Sequence, residues 1–161
     1  MFHIILYNPE IPPNTGNIIR LCSNTGCFLH LIKPLGFDLS NKNLRRAALD
    51  YNEVSKVKSY ENLDQCLNNI SYNNLFIVTK FGDKNIFTAN FKHNDAFLFG
   101  NETSGLPKDI LKTCLHNYKI RIPMLKNNRS LNLSNAASIV VYEAWRQNNF
   151  QNGQLFFNDQ E

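Results

Sequence analysis

Short apolar runs alternate with helical patterns through most of this sequence, and that alternation constrains the fold more than any other feature. FHIILY at 2–7, FLHLI at 28–32, LFIVT at 75–79, AFLF at 96–99 and KIRI at 119–122 read as strands. Helical patterns fall at 14–24, 40–49, 60–70, 107–113 and 134–147. The last is the clearest, because Ala137, Val140, Val141, Ala144 and Trp145 share one face at helical spacing. Asn14 or Thr15 is the expected N-cap of the first helix and Ser40 of the second, while Pro107 suits a first helical turn. Strands separated by helices of this length form βαβ units, which put the strands parallel. The expectation is an α/β domain over residues 1–161, a mainly parallel sheet flanked by helices.

Composition narrows the class. The chain has 161 residues, enough for one domain, and its 43% hydrophobic and 19% charged residues are globular values. No apolar run reaches the roughly 18 residues of a transmembrane helix. MFHIILYNPE carries no basic stretch ahead of its short apolar run, so a cytoplasmic protein with no membrane association is expected. Seventeen basic against 13 acidic residues give a net charge of +4. That excess permits a polyanionic partner without the dense patch of a non-specific nucleic-acid binder. The tightest basic pair, Arg45 and Arg46, is either a solvated helix face or a phosphate contact. Cys22, Cys27, Cys66 and Cys114 form no C-x-x-C pair and have no histidine at ligand spacing, so no metal is expected and the thiols read as small buried apolar groups.

In open α/β sheets ligands bind where loops leave the carboxyl ends of strands. Three such loops are unusual for connectors. NPEIPPNTGN at 8–17 is stiffened by three prolines, and Arg20 follows on the face expected to look back at it. FGNETSGLP at 99–107 places Gly100 and Gly105 around Glu102. Its G-x-x-x-x-G spacing is that of a phosphate loop, but Leu106-Pro107 replaces the required lysine and hydroxyl residue, which disfavours a triphosphatase. No G-x-G-x-x-G occurs, which disfavours a dinucleotide enzyme. IPMLKNNRSLNLSN at 122–135 is long and polar between two core elements, and Ser130, Asn132 and Ser134 supply neutral donors and acceptors or an N-cap cluster.

Together the three segments NPEIPPNTGNIIRLC, FGNETSGLP and IRIPMLKNNRSLNLSNAASIVVYEAWR resemble the three motifs of the SPOUT superfamily of RNA methyltransferases, over nearly the whole chain. The small size, with no added RNA-binding domain, is similar to the branch that methylates the ribose 2′-hydroxyl of the tRNA wobble nucleotide, cytidine or modified uridine, in the anticodon loop. The resemblance implies a C-terminal deep trefoil knot, which periodicity cannot reveal, and a homodimer sharing its active sites. It implies S-adenosyl-L-methionine as cofactor, held by Val78, Thr79, Gly100, Asn101, Glu102, Gly105, Ile122, Ser130 and Leu131. It assigns catalytic parts to Arg20, Glu102, Ser130 and Asn132. RNA contacts are expected from Asn14, Arg20, Arg45, Arg46, Arg129 and Tyr142, the last facing the site from the final helix and supporting either the RNA or the dimer. The competing reading is a non-catalytic RNA-binding or assembly factor with the same fold, against which the retained Arg20, Glu102, Ser130 and Asn132 argue. Trp145 is either ordinary core or part of the dimer face, and Leu155, Phe156 and Phe157 either fray or pack on a neighbour.

Overall fold

The computed structural model describes residues 1–38, 57–113 and 118–156. The expected helix at 40–49, with Ser40, Arg45 and Arg46, lies outside the described residues, as do Cys114 and Phe157. The elements are β1 (His3–Tyr7), α1 (Pro12–Thr25), β2 (Phe28–Ile32), β3 (Lys58–Tyr60), α2 (Leu63–Asn69), β4 (Leu75–Val78), β5 (Lys84–Asn85), β6 (Ala96–Phe99), α3 (Lys108–Thr113), β7 (Lys119–Arg121) and α4 (Leu133–Gln147), with a 3-10 turn at Ile86–Thr88.

The strands form one seven-stranded sheet in the order β3-β2-β1-β6-β4-β7-β5, with every pairing parallel. A parallel sheet must be covered on both faces, and the alternation of its side chains does this. Ile4 and Leu6 of β1, with Phe97 and Phe99 of β6, pack against Ile18 and Ile19 of α1 and Val140, Val141 and Ala144 of α4. Ile5, Ile77 and Leu98 face the other way, toward Leu63 and Leu67 of α2 and Ile110 and Leu111 of α3.

Three sequence expectations change. The pattern at 60–70 is a short strand followed by a helix, because Asn62 caps Leu63–Asn69 by accepting from the Gln65 N–H. β5 carries no apolar alternation and went unseen. The first helix begins earlier than expected, at Pro12 and Pro13, whose missing N–H groups cost nothing in a first turn. Ile11 is its N-cap and makes no side-chain cap bond, so Asn14 and Thr15 lie inside the helix. Trp145 is neither bare surface nor central core: its indole N–H donates to the Gln151 carbonyl at 3.1 Å and its ring meets Phe150 edge-on. Leu155 and Phe156 are exposed. Cys22, Cys27 and Cys66 are buried, and burial pushes the Cys66 thiol up to about 11.

Candidate active site

Because all strands run parallel, the loops after β1, β4, β6 and β7 leave the same edge of the sheet. These four strands are neighbours. Their loops surround a hollow of about 520 Å³, within the usual range for a small-molecule site. A second hollow of equal volume lies under α2 and α3, on the far face of the sheet, and involves none of these loops.

The loop after β6 is closed on itself. Asn101 and Gly105 exchange backbone hydrogen bonds at 3.3 and 3.2 Å, and Asn101 Oδ1 accepts from the Ser104 N–H, the Ser104 hydroxyl and the Gly105 N–H. A Cβ on Gly100 would stand 2.3 Å from the Gly105 carbonyl carbon, so the two arms can meet only over a glycine. Gly105 has φ +71°, and the space where its side chain would stand is open.

Glu102 reaches from this loop to the start of α1. Its carboxylate accepts from the Glu10 N–H at 2.9 Å, the Ile11 N–H at 3.2 Å and the Asn14 side-chain amide at 2.9 Å. The carboxylate supplies the acceptor that the uncapped helix start lacks, and at a helix N-terminus it also meets the positive end of the dipole. Glu10 returns the contact, accepting from the Asn101 amide at 3.2 Å and from the Thr103 hydroxyl. Asn14 in turn accepts from the Asn132 amide at 2.8 Å. Asn132 is the N-cap of α4, and its Oδ1 accepts from the Ser134 N–H, the Ser134 hydroxyl and the Asn135 N–H. One network thus ties together all three unusual loops.

Around the hollow stand Val78, Thr79, Gly100, Asn101, Glu102, Gly105, Ile122, Ser130, Leu131 and Asn132, together with Asn14 and Arg129. The structure does not bring two expected residues there. Arg20 is exposed on α1 and absent from the lining, because the helix turns Ile18, Ile19, Leu21 and Cys22 to the core and leaves Arg20 on the opposite side. Tyr142 is 49% exposed and packs edge-on against Trp145, away from the α4 turn of Leu133 and Ala136 that reaches the hollow. Asn14, expected at the RNA, is buried with its amide and carbonyl both engaged. Sequence reasoning missed Glu10, whose only signal was a charge within a proline loop, and the pair Lys80 and Phe81 at the end of β4.

Residues 1–142 match the model of the SpoU rRNA Methylase family. The chain is 51% identical over 150 residues to a tRNA (cytidine(34)-2'-O)-methyltransferase of Methylovorus glucosotrophus, covering 93% of this chain and 97% of that protein. It is similar to a solved structure described as giving insights into the 2-OH methylation of C/U34 on tRNA, with 38% identity, a TM-score of 0.86 and coverage of 93% and 97%. It is also similar to the SpoU methyltransferase AviRb from Streptomyces viridochromogenes in complex with AdoMet, at 25% identity and TM-score 0.78, covering 92% of this chain and 60% of that one.

Proposed function

This chain belongs to the SpoU rRNA Methylase family, and on that premise we propose that it transfers the methyl group of S-adenosylmethionine to the 2′-hydroxyl of the wobble nucleotide, cytidine or modified uridine, in the anticodon loop of tRNA. The observation that carries the reading is the closing of the 8–17, 100–107 and 122–132 loops on one hollow at the carboxyl edge of the sheet. The relative that is half identical over nearly its full length acts at cytidine 34 by name.

The residues present suit the cofactor. Val78, Phe99, Ile122, Leu131 and Leu133 give an apolar wall for a purine, while the folded 100–105 loop offers backbone polar groups and the open space at Gly105. Val78, Thr79, Gly100, Asn101, Gly105, Ile122, Ser130 and Leu131 would hold it. S-adenosylmethionine supplies an already electrophilic methyl, so the protein's task is orientation and electrostatics. Holding the ribose oxygen in line is worth roughly 7–11 kcal/mol of the barrier. Ser130 and Asn132 line the place of transfer with neutral polar groups. The Arg20 guanidinium stabilises the oxygen as charge develops, an effect of roughly 3–4 kcal/mol for one good donor. The proton leaves to water or an RNA phosphate. Glu102 acts by position: its carboxylate is spent on α1 and fixes the cofactor loop against the helix that carries Arg20.

Arg20 stands outside the hollow of its own chain, which favours a homodimer in which it serves the hollow of a second copy. The same reading ties the C-terminal part of the sheet in the deep trefoil knot of the SPOUT fold. Arg129 at the rim, Arg45, Arg46 and Tyr142 are the proposed RNA contacts, and their phosphate contacts make affinity fall with salt, with a slope of about −0.7 per contact on single strands.

The test is incubation with methyl-labelled S-adenosylmethionine and unmodified bulk tRNA, then digestion to nucleosides. Label in a 2′-O-methylated nucleoside from the wobble position is expected. Label on a base, or none while S-adenosylhomocysteine still binds, overturns the reading.

A further inference from the structure

The turn after β4 holds an aromatic ring in an unusual place. The Gly82 N–H donates to the Thr79 carbonyl at 3.1 Å, and the Phe81 N–H reaches the Thr79 hydroxyl at 3.3 Å. The turn is also pressed onto β7. The Thr79 N–H donates to the Ile120 carbonyl at 2.9 Å, and a Cβ on Gly82 would stand 2.4 Å from the Ile120 carbonyl carbon. A turn pinned at both ends throws the side chain between them outward. Phe81 is accordingly 69% exposed, yet it lines the hollow, so it stands at the mouth. The Lys80 ammonium lies 5.0 Å from the ring centroid.

Charge at the mouth points one way. Among the described residues Glu102 is the only acid lining the hollow, and its oxygens are spent on α1. Lys80 and Arg129 are the bases. An exposed ring with a cation beside it, at the mouth of a hollow that a second cation also lines, suits single-stranded nucleic acid, the ring stacking a base while the cations meet phosphates.

We propose that Phe81 is a stacking platform for a nucleobase adjacent to the target nucleotide, with Lys80 and Arg129 on the flanking phosphates. The proposal rests on the reading of this chain as a tRNA ribose methyltransferase and adds to it a residue that grips the splayed loop. Its role is RNA positioning, separate from cofactor binding.

The test measures binding of synthetic anticodon stem-loops to the full chain saturated with S-adenosylhomocysteine, using intact loops and loops made abasic at either nucleotide flanking the target. Phe81→Leu is expected to weaken binding of the intact loop about tenfold, as loss of one base–aromatic stack does. Phe81→Trp restores it, and both variants keep the wild-type affinity for S-adenosylhomocysteine and the wild-type melting temperature. One abasic loop should bind the wild type about tenfold more weakly and lose nothing further in Phe81→Leu. Additive losses, an unchanged affinity in Phe81→Leu, or a fall in S-adenosylhomocysteine affinity (the ring then covering the cofactor) overturns the proposal. Methyl transfer by the wild type to the intact stem-loop is scored separately, so failure of the underlying activity is told apart from failure of the platform.

Discussion

Asn132 donates its side-chain amide to the side-chain carbonyl of Asn14 at 2.8 Å, joining the start of α4 to α1 across 118 residues of sequence. The orientation of Asn14 is forced. An ionised Glu102 accepts only, so the Asn14 amide must face it, which leaves the carbonyl for Asn132. One buried asparagine therefore uses its donor on the second loop and its acceptor on the third.

Asn14→Ala should lower stability by about 1–3 kcal/mol, the cost of leaving buried polar partners unmade, read as a fall in melting temperature. Asn14→Asp should be worse at neutral pH. It sets a second carboxylate against Glu102, and like charges this close do not both ionise cheaply. Its melting temperature should therefore fall relative to Asn14→Ala as pH rises from 4 to 8. Equal melting of the two variants across that range would remove Glu102 as the partner of Asn14.

The glycine loop gives a contrast between two small substitutions. Gly100→Ala puts a methyl 2.3 Å from the Gly105 carbonyl carbon, and backbone must move to admit it. Gly105→Ala meets nothing but strains a left-handed backbone, at a cost of about 1–3 kcal/mol. Calorimetry with S-adenosylhomocysteine should find binding abolished in Gly100→Ala and weakened in Gly105→Ala. Normal binding by Gly100→Ala would mean that the fold of this loop does not shape the hollow.

Much of this molecule was legible because its central strands and last helix are apolar in the right period. β1, β2, β6 and α4 stand where their patterns placed them. β3 and β5 did not register, because KSY and KN are too short and polar to alternate and gain their strand form by pairing with β2 and β7. The cluster of Gly100, Ile122, Ser130 and Leu131 at one hollow followed from the three motifs. The engagement of Glu102 was not readable, since its donors come from residues 88 to 92 positions away. Nor was the direction of Arg20, since the proline start of α1 sets the helix phase and hence which residues face inward.

At the opposite end of the strands, His3 and His30 are buried side by side, their ring nitrogens 3.0 Å apart, with Asn94 beyond one and the Tyr60 hydroxyl beyond the other. Burial, then His3 and Lys58, pushes His30 down to about 4, and His3 is lowered too, chiefly by burial. A histidine depressed by folding favours the folded state only while neutral. Its contribution is complete above pH 6.5, where the unfolded histidine is also neutral, and is lost as pH falls toward 4. His30→Gln should flatten the decline in stability between those limits by about 1–3 kcal/mol. Parallel declines in the two proteins would place the acid sensitivity elsewhere.

Arg20 belongs to the stripe Pro13, Asn17, Arg20 and Asn24 that α1 leaves exposed. These positions recur at helical spacing on one face, and in the proposed homodimer this is the face that would carry Arg20 to a second copy. Two crippled chains decide whether the arginine works across that contact. Arg20→Ala keeps the hollow and lacks the cation. Leu131→Trp keeps the cation and fills the hollow that Leu131 lines. Each alone should transfer methyl groups at a small fraction of the wild-type rate. In a two-fold dimer of one chain of each kind, the intact hollow of the Arg20→Ala chain receives the arginine of its partner, so one site of two is whole. Equal co-expression makes half the dimers mixed, and about a quarter of wild-type activity should return. If Arg20 serves its own chain, neither site of a mixed dimer has both parts, and activity stays at the level of the separate variants.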